Sequence, residues 1–326
     1  MPLRLIGFVL LPALLLVGCG SSDTDRSRST VTDALGRTVQ FDRPVDRVVS
    51  LAPNLTELVY AAGAGSTLVA VTESGDHPPA VDRLDHVSAL PVDFEGIVAK
   101  RPDLVLATDQ INPPGDTETF DAIDVPIYFF SFGSLDDVFG ALRTVGDLLG
   151  TEAAARDSAR ALEQRVAALR ARTDSLDEAE RPRVLVLIGD DTLYSFGQGS
   201  YVHEMVRLAG GRSITASIET AAPTLSEEYV LNEKPDVIVG AWGSDYDPDQ
   251  LLALHPTWDV VPALRQDRVY SLPPSLLLRP GPRLIQGARR MAARLHPDRF
   301  DSVPPASPSP KRSPSPSPAP HDSLDA

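Results

Sequence analysis

The 326-residue sequence holds a single cysteine, Cys19, which excludes an intramolecular disulfide framework and any zinc site built from several thiolates. Lysine is nearly as scarce, with only Lys100, Lys234 and Lys311 among 30 basic residues. Against 45 acidic residues these leave a formal net charge of −15. A phosphate backbone would be repelled rather than neutralised, so a nucleic-acid partner is not expected. An acid-rich, lysine-poor surface suits a salty solvent that screens self-repulsion. Several chemical signatures are also missing. The six histidines form no HExxH pair at helical spacing, and Gly63-Ala64-Gly65 lacks the Gly-Lys-Ser/Thr of a phosphate loop. Ser195 and Ser200 flank Gly197-Gln198-Gly199 without the Gly-x-Ser-x-Gly order of a nucleophile elbow. What is present, 42% hydrophobic and 23% charged residues, is ordinary for a folded protein.

The ends of the chain carry different messages. Arg4 precedes an almost unbroken apolar run from Leu5 to Val17, too short for a bilayer core of roughly 30 Å. Residues 1–18 therefore read as a signal peptide. The run ends in Leu16-Val17-Gly18-Cys19, a bacterial lipobox whose cysteine is lipidated and becomes the new N-terminus. A buried core cysteine is the competing reading, and the polar Gly-Ser-Ser-Asp context speaks against it. Several acyl chains on one residue anchor stably where one would not. The expected site of action is thus the cell envelope, outside the cytoplasm and facing the periplasm, with residues 19–30 as lipidated cysteine and flexible tether. Residues 301–326, rich in Pro and Ser, read as an extended solvated tail, with a PxxP partner site as the alternative.

Between tether and tail, strands alternate with helices. Arg47–Leu51, Leu68–Val71, Leu104–Ala107 and Val125–Phe130 read as strands of a first lobe, residues 31–133. Helices read at Leu55–Ala62, after the turn Ala52-Pro53-Asn54, and at Phe94–Lys100. Val184–Ile188, a helix Ser200–Leu208 and Val237–Val239 repeat the plan in a second lobe, residues 181–300. One correspondence is gap-free: Glu95 through Leu106 aligns onto Glu228 through Val239, sharing an acid, two aliphatics, a basic-Pro-Asp turn and an aliphatic strand. Two α/β lobes with mainly parallel sheets and a cleft between them are expected. Residues 134–180 should join them. Ser134 caps a helix ending at Gly150, and from Thr151 to Asp177 an apolar stripe steps by three and four through Ala155, Ala159, Leu162, Val166, Leu169, Thr173 and Leu176. That helix would run about 40 Å. A coiled-coil seam is the rival, but the stripe is rich in Ala and Thr. A rigid rod lying across both lobes is preferred, and it would limit hinge opening.

The sequence resembles the helical-backbone class of periplasmic binding proteins, the receptors of ABC importers for metal chelates, over roughly Val31 to Arg294. The carriers are Asp33-Ala34-Leu35-Gly36-Arg37-Thr38-Val39, Arg47-Val48-Val49-Ser50-Leu51-Ala52-Pro53-Asn54-Leu55-Thr56-Glu57-Leu58, Asp76-His77-Pro78-Pro79 and the two Pro-Asp strand starts. The resemblance implies two Rossmann-like lobes joined by a long rigid backbone helix. It also implies a monomer that binds without turnover, holds no resident cofactor and carries no catalytic residue, and whose partners are an ABC permease and its ATPase. A carboxylate on each lobe would dock into permease arginines, and these map onto Glu95 and Glu228. Helix-dipole acids are the plainer account of either one alone.

Within the class the sequence resembles the cobalamin receptors, which implies cobalamin or a related corrinoid as the first ligand expectation. An iron(III)-siderophore or haem is the alternative. Those receptors line their cleft with aromatics, whereas Ser74, Leu90 and Thr108 stand at the corresponding points here. Tyr194, Phe196 and Trp242 could supply aromatic cover, with Pro53, Asn54 and Arg279 also facing ligand; each aromatic could equally be core. Arg279 offers a planar fork to a carboxylate, phosphate or amide edge, though it could also be a surface residue. More distant readings stay open. A Zn or Mn receptor needs His77, His86 and His203 to converge with carboxylates, His77 otherwise being a loop residue at the cleft rim. A lipid-anchored α/β hydrolase needs a nucleophile–base pair, and a structural envelope lipoprotein needs no cleft.

Overall fold

The computed structural model describes residues 27–243 and 246–300. The signal-peptide, Cys19 and tail readings lie outside the described residues.

The chain opens with an antiparallel hairpin, β1 (Ser27–Thr32) and β2 (Thr38–Arg43), with Ser27 opposite Arg43. Ser27 to Thr30, assigned above to the tether, are therefore folded. The turn is fixed by the buried Asp33, whose carboxylate accepts from the Leu35 and Arg37 backbone N–H groups and pairs with the Arg37 guanidinium at 2.6 Å. Gly36 supplies the left-handed residue at φ 77°.

The first lobe is a five-stranded parallel sheet, ordered β5 (Asp85–Val87), β4 (Leu68–Thr72), β3 (Val48–Ser50), β6 (Leu104–Thr108), β7 (Ile127–Phe130). β3, β6 and β7 are buried along their whole length, which is why they read as unbroken apolar runs rather than alternating ones. Helices α1 (Pro53–Ala61), α2 (Phe94–Ala99) and α3 (Asp116–Ala122) cover it. Pro53 and Asn54 start α1 rather than form a free turn, because proline's fixed φ suits the first helical position.

The second lobe has four parallel strands, ordered β11 (Val269–Ser271), β10 (Val237–Gly240), β8 (Arg183–Leu187), β9 (Arg212–Ser213). Its helices are α6 (Tyr201–Leu208), α7 (Glu227–Glu233), α8 (Pro248–Leu254), α9 (Pro262–Arg265), α10 (Pro274–Leu277), α11 (Leu284–Leu295) and α12 (Pro297–Phe300). The internal repeat has a structural basis. Arg101 and Lys234, at matching positions, both take φ 46° after their helices. Asp103 and Asp236, also matched, accept the backbone N–H groups of Arg47 and Arg183 at 2.9 and 2.8 Å, which ties each strand to the start of its neighbour.

Between the lobes run α4 (Leu135–Leu149) and α5 (Glu152–Thr173). Ser134 and Asp137 form a reciprocal capping box, and Gly150 ends α4 at φ 72°. The α5 helix ends four residues short of the expected Asp177, making it about 33 Å long. The Thr173 carbonyl is taken by Arg181, and Asp177 instead caps a short 3₁₀ turn at Glu178–Glu180. Leu176 is still buried, which is why the stripe appeared to continue. The rod touches both lobes: Ser158 Oγ donates to the Ala61 carbonyl of α1 at 2.7 Å, and Thr173 Oγ1 to the Leu208 carbonyl of α6 at 3.2 Å. One continuous buried apolar cluster passes from β3 and α1 through α4 and α5 to α6 and α11.

Candidate functional site

In open parallel sheets, ligands gather beyond the carboxyl ends of strands, and both lobes turn those ends toward a shared cleft of about 570 Å³. Of the residues expected to face ligand, Pro53, Asn54, Ser74, Thr108, Phe196 and Arg279 line it. They stand where each strand gives way to its loop or helix: α1 after β3, Ser74 after β4, Thr108 ending β6, Phe196 after β8. Asn54 also ties the lobes together, its Nδ2 donating to the Pro280 carbonyl at 3.2 Å. Tyr194 and Trp242 do not line the cleft. Tyr194 is 48% exposed beside Thr224, and the Trp242 ring lies 4.2 Å from that of Tyr246, against the second lobe's own core.

Sequence reading missed Gln110, Ile111, Phe132, Gln198, Ser200 and Tyr201, which also line the cleft. The signal for Gln198 and Ser200 was the Gly-rich turn at 197–199, weighed only as a nucleophile elbow. That turn is held from below. His203 Nε2 meets the Gly197 carbonyl at 2.6 Å and its Nδ1 meets Ser213 Oγ at 2.9 Å. A neutral imidazole protonated on Nε2 satisfies both, donating to the carbonyl and accepting from the hydroxyl. Burial pulls the His203 pKa below its ordinary value, opposed in part by the carbonyl. Tyr201 is buried, its hydroxyl reaching the Leu277 carbonyl at 3.3 Å, and desolvation pushes that hydroxyl's pKa up.

At the seam between the lobes sits a four-ion cluster. The Glu57 carboxylate, 3% exposed, accepts both arms of the Arg283 guanidinium at 2.9 and 2.6 Å. Arg279 pairs with Asp76 at 2.5 Å and lies 3.9 Å from Glu57. Both acids come from the first lobe and both arginines from the second, so the cluster is neutral. His77 adjoins it; burial and then the Arg283 charge lower its pKa. Among the described residues, no three His, Cys, Asp or Glu come together as a metal site.

Glu95 and Glu228 are exposed in the first turns of α2 and α7. Because α2 connects β5 to β6 and α7 connects β9 to β10 within parallel sheets, each helix returns antiparallel to its strands, which puts each first-turn acid at its lobe's cleft-side end. Among the described residues neither acid has an assigned hydrogen bond or ion pair. Glu227, one residue away, behaves differently. It binds His255 at 3.1 Å and Thr257 at 2.9 Å, and those hydrogen bonds hold its carboxyl below the usual range.

A family model described as periplasmic binding protein matches residues 48–276. The chain belongs to that family. Among its relatives, a Bacillus subtilis protein named as an uncharacterized ABC transporter substrate-binding lipoprotein is 26% identical over 306 residues, covering 90% of this chain and 96% of the relative. A vitamin B12-binding protein of Vibrio parahaemolyticus is 30% identical over 246 residues, covering 75% of this chain and 87% of the relative. The solved periplasmic heme-binding protein of Roseiflexus sp. RS-1 superposes with a TM-score of 0.68 at 27% identity, covering 78% of this chain and 99% of that one. Two lobes of parallel sheet joined by a helical rod are what a periplasmic binding protein of this class requires, and the described residues supply them. No described helix is long and apolar enough to cross a membrane.

Proposed function

We propose that this periplasmic binding protein captures a metal chelate outside the cytoplasm and hands it to an ABC permease, with cobalamin or a related corrinoid as the first ligand. The observation that carries the reading is the interlobe cleft, lined by strand ends from both lobes, in a chain 30% identical to a protein named for vitamin B12 binding. A second reading, haem or an iron(III)-siderophore, is favoured by the heme-binding structural neighbour and by the small cleft residues Ser74 and Thr108. The reading includes a lipid anchor at Cys19, as the Bacillus relative's name suggests, and a monomer that docks through Glu95 and Glu228. It involves binding without turnover. Visible absorbance titration of the purified protein with cyanocobalamin and with haemin tests it. Saturable one-to-one binding of cyanocobalamin supports the first reading, saturation by haemin alone supports the second, and saturation by neither, nor by an iron(III)-hydroxamate siderophore titrated in the same way, overturns both.

A further inference from the structure

Arg279 lines the cleft, yet its charge is already spoken for. Its Nη1 lies 2.5 Å from Asp76 Oδ1 and 3.9 Å from Glu57 Oε1. Its Nη2 donates to the Ser74 carbonyl at 3.0 Å and approaches Asp76 Oδ2 at 3.5 Å. Among the described residues its Nε has no assigned acceptor. The two acids it faces differ in kind. Glu57 is buried and saturated by Arg283, whereas the Asp76 side chain is 50% exposed on the loop after β4, reaches Arg283 only at 3.8 Å and lies outside the cleft lining. Glu57 cannot leave without stranding a buried charge, but Asp76 can turn to water at little expense.

We propose that Asp76 is a built-in competitor for Arg279, and that the cleft's ligand carries an acidic oxyanion group that takes its place. The cluster is neutral with Asp76 in position, so an incoming anion finds no net attraction until that carboxylate moves aside. A neutral chelate gains nothing from the exchange and leaves Arg279 with Asp76. The device therefore selects by what it withholds: Arg279 is available only to a group that binds it better than a half-solvated aspartate does. It deepens the chelate reading of the preceding subsection and rests on that reading for the ligand, though not for the exchange itself. The acid could be a carboxylate, as on the propionates of haem, or a phosphodiester, as in cobalamin.

The exchange is testable without the natural ligand. Inorganic phosphate, followed by the NMR shift of the Arg279 Nε–H, should bind Asp76→Asn about fivefold or more tightly than it binds the wild type. Asp76→Asn/Arg279→Gln should lose that gain. Asp76→Ala serves as a second variant, and thermal melts of each confirm folding. Equal phosphate affinity in wild type and Asp76→Asn, or a gain that survives Arg279→Gln, overturns the proposal. A second arm distinguishes the acid's source. Haemin against its dimethyl ester reads the carboxylate, and cyanocobalamin against the phosphate-free cobinamide reads the phosphodiester. For whichever ring binds, the acid-bearing form should bind several-fold better, and Asp76→Asn should widen the difference. An acid-free form that binds equally well overturns the ligand claim. Failure of every chelate to bind while the phosphate arm succeeds overturns the chelate reading and leaves the exchange standing.

Discussion

Glu57 shows how much one side chain at the seam has to balance. A carboxylate removed from water is tolerated only where its oxygens are occupied, and the bidentate Arg283 fork occupies both. Glu57→Gln should leave Arg283 only the half-exposed Asp76, 3.8 Å away, as counter-charge and destabilise the fold by up to about 3–5 kcal/mol in denaturant unfolding, while Glu57→Gln/Arg283→Gln should recover part of that loss. A double variant no better than the single one would show that the pair is not coupled. His203 tests the site through pH. Its folded pKa lies below the unfolded value of 6.5, so between the two the unfolded chain binds a proton the folded one refuses. The contribution is complete above 6.5 and is lost as pH falls toward the lowered value. His77 and His296 are shifted the same way and add to the slope. Melting temperature should therefore fall between pH 7.5 and 5.5, and His203→Asn should flatten that fall; an unchanged slope would remove His203 from the account. In the sequence His203 stood out only as one of three histidines that a metal site would have to gather, and its hold on the Gly197 turn left no local sign. Glu57 appeared only as part of a helical motif, because its partner lies 226 positions away and pairing across lobes leaves no local pattern.

At the scale of elements, legibility followed local periodicity. Both connecting helices, the long buried strands and the acid-to-strand repeat could be read, since capping chemistry, apolar spacing and the basic-Pro-Asp turn are short-range signals. The hairpin β1–β2 and the strands β5, β9 and β11 were not read. The last three have only two or three residues each, and β1 is exposed or half-buried along its length. They exist because a neighbouring strand offers a ladder, not because their own pattern demands one. The repeat yields a prediction of its own. Arg101 and Lys234 both sit at φ 46°, where a Cβ is strained, and both side chains are exposed without an assigned partner among the described residues. Arg101→Gly and Lys234→Gly should each stabilise by about 0.5–1 kcal/mol, read as a higher denaturant midpoint. A loss at both positions would mean that unfolded-state entropy outweighs the strain.

For the whole molecule, the continuous core and the α5 rod decide what motion is available. A hinge that opened widely would have to separate apolar groups that α5 shares with α1 on one side and with α6 and α11 on the other. Close packing reinforces this: at Gly146 in α4 a Cβ would come within 2.3 Å of the Ala155 Cβ, so the two helices meet almost backbone to backbone. Closure by large rotation is thus opposed by loss of buried area, while local exchanges at the seam, such as Asp76 for a ligand acid, are not. Small-angle scattering should show nearly the same radius of gyration with and without ligand, and a marked compaction on ligand addition would refute the rod. With the rod limiting rotation, the proposed permease contact falls to fixed surface groups, and Glu95 and Glu228 are the acids proposed for it. Both acids are exposed on cleft-side helix ends, one per lobe, as a permease of two like subunits would need. Exposed charges steer and orient more than they bind, so losing either should cost docking about 1 kcal/mol or less, while reversal adds repulsion. Glu95→Arg/Glu228→Arg should abolish ligand-stimulated ATP hydrolysis by the reconstituted transporter and leave ligand affinity in free solution unchanged. Stimulation that survives the double reversal would move the permease contact elsewhere on the protein. An affinity that falls with it would place these acids in the service of the cleft.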